Sequence, residues 1–412
     1  MVRFLIIVCL VCSATSLFSA QRIDLYQDVV PVDSQGNADR NAAFMRALRR
    51  VITRVVGDPG KVRRAAVFSK IKDPSAYVES FSFLPNPDYV RYQEAIFEEG
   101  SENQTDEGEQ SGPPMLQKIP SRVSSIPNEF LLEVTFSKQE VLRLVTEKQL
   151  PRWGEVRPSV MFWVAHEGSS TKNLWGTQNT QRKTVLFNQA LERGIPIYLP
   201  NADEQDSALI NTNALWMLSE ASIIEAGKRY RRDLNLLLSL YQSSDENWHA
   251  KWKLPFDEFE ETGELNNKSL DAIWIAVIDD VAKVLSKHYA VSDALTDSQS
   301  IYNLTLNNID SYIAYITSQQ ALEAIPGVRA ANLVRLKGSD AYYKISLSSS
   351  ADQFLRQLEL GQQFEPYALY ERSKAVEEPL GLDVVSPAVD LPLKVSEQED
   401  FTDGIFSWLG RR

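Results

Sequence analysis

Histidine is the side chain best placed to move protons near neutral pH, and this chain of 412 residues holds three: His166, His249 and His288. A Ser-His-Asp site needs only one of them, but no Gly-x-Ser-x-Gly elbow accompanies any. The gaps between the three match no metal-ligand spacing. His166 with Glu167 is the strongest pair for acid–base work, because it follows the apolar run Ser159–Ala165, at the end where α/β domains bind ligands. The plainer reading of the same pair is a polar loop end. His249 shares parity with Lys251 and Lys253 and alternates with Trp248 and Trp252, which places it on the wet face of a strand. His288 falls in the last turn of a helix, where positive charge complements the macrodipole. The carboxylate pairs Asp279-Asp280 and Glu260-Glu261 are adjacent in sequence, and helical neighbours do not share a face, so neither is expected to act as an acid–base couple.

The densest charge feature is basic. Arg40, Arg46, Arg49, Arg50, Arg54, Lys61, Arg63 and Arg64 crowd one short stretch that holds only Asp39 and Asp58 in return. Arg46, Arg49, Arg50 and Arg54 follow helical spacing beside an apolar stripe. They are expected to share a broad face that docks an anionic partner: an acidic envelope protein, anionic lipid head groups or lipopolysaccharide; a solvated helix face is the alternative. A third arrangement would fold the acidic stretch Glu98–Glu109 back onto this patch. Trp163, Trp216, Trp248, Trp252 and Trp274 sit on periodic apolar faces and read as core.

Composition bounds the rest. The net charge is −12, which disfavours nucleic acid as a partner. The first 20 residues read as a secretory signal: Arg3, an apolar run from Phe4 to Cys12, the small residues Ser13–Ser16, then Leu17-Phe18-Ser19-Ala20, with cleavage after Ala20, or after Ala14 or Ser16 because Phe18 is bulky. The run is too short to span a bilayer, which takes about 20 apolar residues. No later stretch is long and apolar enough, so no transmembrane segment is expected after cleavage. Both cysteines, Cys9 and Cys12, lie in the leader. The mature chain then holds no thiol for disulfides, cysteine nucleophiles or iron–sulfur clusters. No cofactor-binding motif is legible.

The expected fold class is multidomain α/β and α+β. Residues 21–150 are expected to form a ferredoxin-like α+β unit. Its order is β-α-α-β-β-α: a strand from Ile23, a helix Asn37–Val56, a second helix after Pro59, strands Tyr89–Phe97 and Phe130–Phe136, and a helix capped by Ser137. Residues 98–122, rich in carboxylates, read as a disordered insert. Residues 151–291 are expected to form an α/β unit with a mixed sheet around the doubly buried strand Ser159–Ala165. Residues 298–366 repeat a ferredoxin-like β-α-β-β-α plan. The polar tail 367–412 reads as flexible, ending in a short amphipathic stretch around Phe406 and Trp408.

Several of these segments resemble a known family. Leu25-Tyr26 with Val29-Val30-Pro31-Val32, Ala47-Leu48 to Arg54-Val55-Val56-Gly57, and Arg157-Pro158-Ser159-Val160-Met161-Phe162-Trp163-Val164-Ala165 resemble exported proteobacterial proteins known as domain of unknown function twenty sixty-six. The resemblance implies export and a periplasmic location in a Gram-negative envelope, and it brings no catalytic residues. Leu186–Leu199 with Ile224–Tyr230 and Asp233–Leu240 is similar to non-catalytic α/β domains of envelope assembly factors, such as the amino-terminal domain of the Tol translocation protein and the curli secretion lipoprotein. That likeness concerns fold, and fold does not set function. The expectation is a non-catalytic envelope accessory or scaffold acting through protein contacts. The alternative is a periplasmic hydrolase or small-ligand-binding protein with its site at His166 and Glu167.

Overall fold

The computed structural model describes residues 21–91, 93–94, 127–167, 171–177, 183–256, 259–292, 300–360, 363–367 and 402–410. The segment expected to be a leader, the expected acidic insert and most of the tail lie outside the described residues. Among the described residues, no helix is long and apolar enough to cross a membrane.

The first unit packs one long helix on a three-stranded antiparallel sheet. Strand β1 (Gln27–Val32) leads to helix α1 (Asn37–Val56), then come β2 (Val78–Pro85), β3 (Phe130–Phe136) and helix α2 (Lys138–Glu147). The sheet order is β1-β3-β2. Helix α1 forms because Phe44, Ala47, Leu48, Val51, Ile52 and Val55 recur at helical spacing, and all are buried. It stops at Gly57, whose φ of 79° is the left-handed conformation that closes helices. A side chain at Gly57 would also meet Ser286 Cβ at 2.5 Å, so the C-terminus of α1 seats directly on the second unit. Ser137 caps α2 by accepting from Glu140 N–H, as the capping box requires.

One element differs from expectation. The predicted strand Tyr89–Phe97 is helical over residues 87–91, and the strand lies earlier, at Val78–Pro85. The signal was present: Asn86 accepts from Asp88 N–H and Pro87 opens the helix, an N-cap followed by proline at N1.

The second unit is a mixed sheet with helices on both faces. It contains β4 (Val160–Glu167), β5 (Lys172–Trp175), α3 (Lys183–Arg193), β6 (Leu234–Gln242), β7 (Trp248–Pro255), β8 (Glu260–Asn267) and α4 (Leu270–Tyr289). Strand order is β8-β7-β6-β4-β5, with the short strand Ile197–Tyr198 also on β4. β4 runs parallel to β6 and antiparallel to β5. Its central position explains the unbroken apolar run: Val160, Phe162 and Val164 face α3 and α4, while Met161, Trp163 and Ala165 face the opposite core. Strand β8 escaped sequence reading because it is an edge strand whose side chains are mostly exposed and polar, with three glutamates among its eight residues, a composition that also protects the edge from pairing.

The third unit has β9 (Ser300–Asn307), α5 (Tyr312–Glu323), β10 (Val328–Lys337), β11 (Asp340–Leu347), α6 (Ala351–Leu360) and β12 (Phe364–Pro366). The expected flexible tail is corrected here. Residues Gly404–Trp408 form β13, inserted between β9 and β12 in the order β10-β11-β9-β13-β12. It runs parallel to β9 and antiparallel to β12, and it buries Phe406 and Trp408 at 5% exposure each. A run of five alternating residues carries too little local signal to reveal a partner about 100 residues earlier.

Candidate functional site

His166 and Glu167 end strand β4, opposite Asn173 and Lys172 of β5. Consecutive strand residues point to opposite faces, so the two side chains do not converge. His166 is half-buried, with no hydrogen-bond partner for its Nδ1 among the described residues, and Glu167 is exposed. The other two histidines are structural. His249 stacks on Tyr241 at 4.8 Å and lies 3.1 Å from Ser243 Oγ. Asp245 binds the same serine hydroxyl rather than the imidazole, so the order of a proton relay is absent. His288 sits between Phe256, at 4.7 Å, and Phe259, at 5.4 Å, with Tyr289 edge-on. Burial, helped by Arg356, pushes its pKa down and keeps it neutral. Desolvation therefore outweighs the macrodipole attraction expected from its place in the helix.

The adjacent carboxylates also diverge. Asp279 accepts from Gln189 and Arg193, both at 2.7 Å, while burial raises the pKa of Asp280. Glu260 pairs with Lys253 and Glu261 with Lys287, from opposite faces of β8. Among the described residues, no group of three or more His, Cys, Asp or Glu could hold a metal ion.

The four arginines singled out from spacing do not form one docking face. Arg46, Arg50 and Arg54 make a ladder along the outer edge of β1. Arg46 donates to Pro31 O at 2.9 Å, Arg50 to Val29 O at 3.4 Å, and Arg54 to Gln27 O at 2.9 Å. The match is geometric. Four helical residues rise about 6 Å and two strand residues about 6.8 Å, so an arginine at every fourth helical residue meets every second carbonyl. Pro31 has no N–H to leave unpaired, which suits an edge strand. Arg54 is only 3% exposed and also pairs with Asp28 at 3.2 Å, so it is closed to a partner. Arg50 reaches Asp28 at 3.6 Å and Glu192 of α3 at 3.4 Å. Desolvation raises the pKa of Asp28 in spite of both arginines. Arg49 departs from the ladder and lies over the Phe68 ring, 4.6 Å from its centroid.

Arg157, read at sequence level only as part of a strand entrance, is the hub between the first two units. It is fully buried, and its pKa is pushed well down by desolvation. It donates to Gly154 O at 2.8 Å, Arg54 O at 2.7 Å and Trp153 O at 3.2 Å. It also reaches Arg193 O at 3.3 Å, and its guanidinium lies 3.7 Å from the Trp153 ring centroid. Its acceptors include the C-terminal carbonyls of α1 and α3, the negative ends of two helix dipoles. Cation and acceptors thus compensate each other without a carboxylate.

A second cluster was also missed. Asp206, fully buried, accepts from Tyr230 Oη at 2.6 Å and Ala202 N at 2.9 Å, and pairs with Arg229 at 2.7 Å. Arg229 also holds Asp203, whose carboxyl lies well below its usual range. Burial and Asp206 push Tyr230 up to about 12. Every member of this network is bonded to another, and together they pin the helix Ile224–Tyr230 to the loop after Leu199.

Where the three units meet there is a cleft of about 190 Å³. One wall comes from the first unit and the linker: Tyr26, Lys138, Trp153 and Glu155. The other comes from α5, α6 and the start of β12, and includes Thr317, Gln320, Gln357 and Gln363. Lys138 Nζ lies 2.6 Å from Glu155 Oε1 and 5.7 Å from the Tyr26 ring centroid. Burial, then the charge of Glu155, raises the pKa of Tyr26 strongly, so its hydroxyl keeps its proton.

A family model described as a domain of unknown function, DUF8605, matches residues 19–154. The first unit is thus similar to an uncharacterised domain. The match does not extend to the family suggested by Arg157–Ala165, nor to a proteobacterial source. No curated protein matches the chain.

Proposed function

We propose that this chain is a non-catalytic accessory or scaffold of a Gram-negative envelope, exported by its leader to the periplasm, that works by pairing with an extended segment of an envelope protein. The observation that carries the reading is the asymmetry of the first sheet. The outer edge of β1 is closed by three arginines and a proline. The outer edge of β2 faces no other strand among the described residues, and beside it Phe81 is 44% and Leu84 41% exposed. An open edge flanked by apolar side chains suits strand addition, in which main-chain bonds supply affinity and side chains supply specificity.

Two further points support this reading. The charged side chains with the most perturbed environments, Arg157 and the Asp203–Arg229 network, are bonded within the protein, which suits a rigid platform. The likeness of Arg157–Ala165 to exported proteobacterial proteins supports the compartment. The inward-turned arginine ladder weighs against anionic lipid as the partner. The test is crosslinking in intact cells followed by affinity purification of the wild type, a Phe81→Lys/Leu84→Lys variant, and a Leu191→Lys control at a 65% exposed site on α3. A protein partner captured by wild type and control but lost from the double variant is expected. Equal capture by all three would overturn the β2 edge as the docking site.

A further inference from the structure

We propose that the cleft between the three units binds a small zwitterion, of the class of free α-amino acids with aliphatic side chains. This inference is independent of the β2 edge and stands on the chemistry of the cleft walls. The lining carries two cations and one anion, Lys138, Arg152 and Glu155, with Lys138 and Glu155 2.6 Å apart. An ammonium group meets the Glu155 carboxylate and a carboxylate meets Lys138, each by a charge-assisted bond. The side-chain amides of Gln320 and Gln363, with Thr317, add neutral donors and acceptors on the facing wall. Ala321, Ala324, Ile325, Pro326 and Phe364 also line the cleft, and this apolar part of the wall accommodates an aliphatic side chain.

Size selects the class. The cleft of about 190 Å³ far exceeds the roughly 10–15 Å³ that one water needs. It falls short of the roughly 300 Å³ where drug-sized pockets begin. A molecule of about ten heavy atoms fits that interval, with an affinity of about micromolar to millimolar. Because the walls come from separate units, a bound zwitterion also ties the third unit to the first two.

Calorimetric titration of the full mature chain with leucine, N-acetyl-leucine, leucinamide and glycine tests the proposal. Leucine is expected to bind, with each capped analogue at least about tenfold weaker because one charged partner is left unmet. Glycine is expected to be weaker as well, for want of apolar contact. In Glu155→Gln the penalty for acetylating the amine should vanish, and in Lys138→Met the penalty for amidating the carboxylate should shrink, with Arg152 left as the second cation of the lining. These ratios are insensitive to a general loss of folded protein. No heat with leucine, equal binding of leucine and its capped analogues, or unchanged ratios in both variants would overturn the proposal.

Discussion

Replacing Arg157 by methionine should uncouple the first two units. The side chain is fully buried and donates to five carbonyls, the four named above and Gly194 O at 3.5 Å, of which Arg54 O at 2.7 Å and Gly154 O at 2.8 Å are well made. Methionine fills similar volume but donates nothing. Each buried carbonyl left without a donor costs about 1–3 kcal/mol. Two such losses, with some compensation from removing a desolvated cation, give about 3–4 kcal/mol. That is a large share of the roughly 5–15 kcal/mol that holds most proteins folded. Lysine should rescue little, since it lacks the planar fork and the stacking on Trp153. Urea unfolding followed by tryptophan fluorescence reads the loss, and Arg63→Met, at an exposed site, serves as control within about 0.5 kcal/mol of wild type. The bonds of Arg157 cross from α1 to α3, so the transition of the variant should also split. A single transition within about 1 kcal/mol of wild type would refute the view that this arginine welds the two units.

Other consequences can be measured directly. The pKa of His288 is depressed in the folded state from 6.5, so folding releases its proton; the associated stability is present above pH 6.5 and is lost as pH falls below it. In His288→Phe the decline between about pH 7 and pH 5.5 should flatten, as urea midpoints at each pH would show. An Arg46→Ala/Arg50→Ala variant leaves the β1 carbonyls unmet. Its stability should fall by about 1 kcal/mol after discounting for exposure, and light scattering should register self-association through the opened edge. Trp408→Ala should cost about 3–5 kcal/mol and lower the thermal midpoint of the third unit; an unchanged midpoint would mean that β13 is not part of that sheet in solution.

Much of the fold was legible because its causes are local. The stripe on α1, the stop at Gly57, the Ser137 cap and the unbroken run of β4 all depend on neighbours within a few turns or one strand. The errors have local causes too. Asn86-Pro87 was an overlooked helix start, and β8 lacked the apolar alternation that marks a strand because one of its edges is open. The candidate site was far less legible. Spacing placed Arg46, Arg50 and Arg54 on one side of a helix, but their destination depended on a strand edge with carbonyls at a matching pitch. His166 and Glu167 looked like a pair only while β4 could be imagined ending before them.

By itself the sequence determined many of the segments, their caps, the mixed α/β class and the placement of both cysteines at positions 9 and 12, since composition and periodicity act at short range. Tertiary structure alone decided that Arg157 joins segments 103 residues apart, that β13 returns to complete the third sheet, and that Lys138 and Glu155 face three glutamines across a cleft. A buried charge takes whatever acceptors the fold brings within about 3 Å, and no spacing along the chain records which those will be.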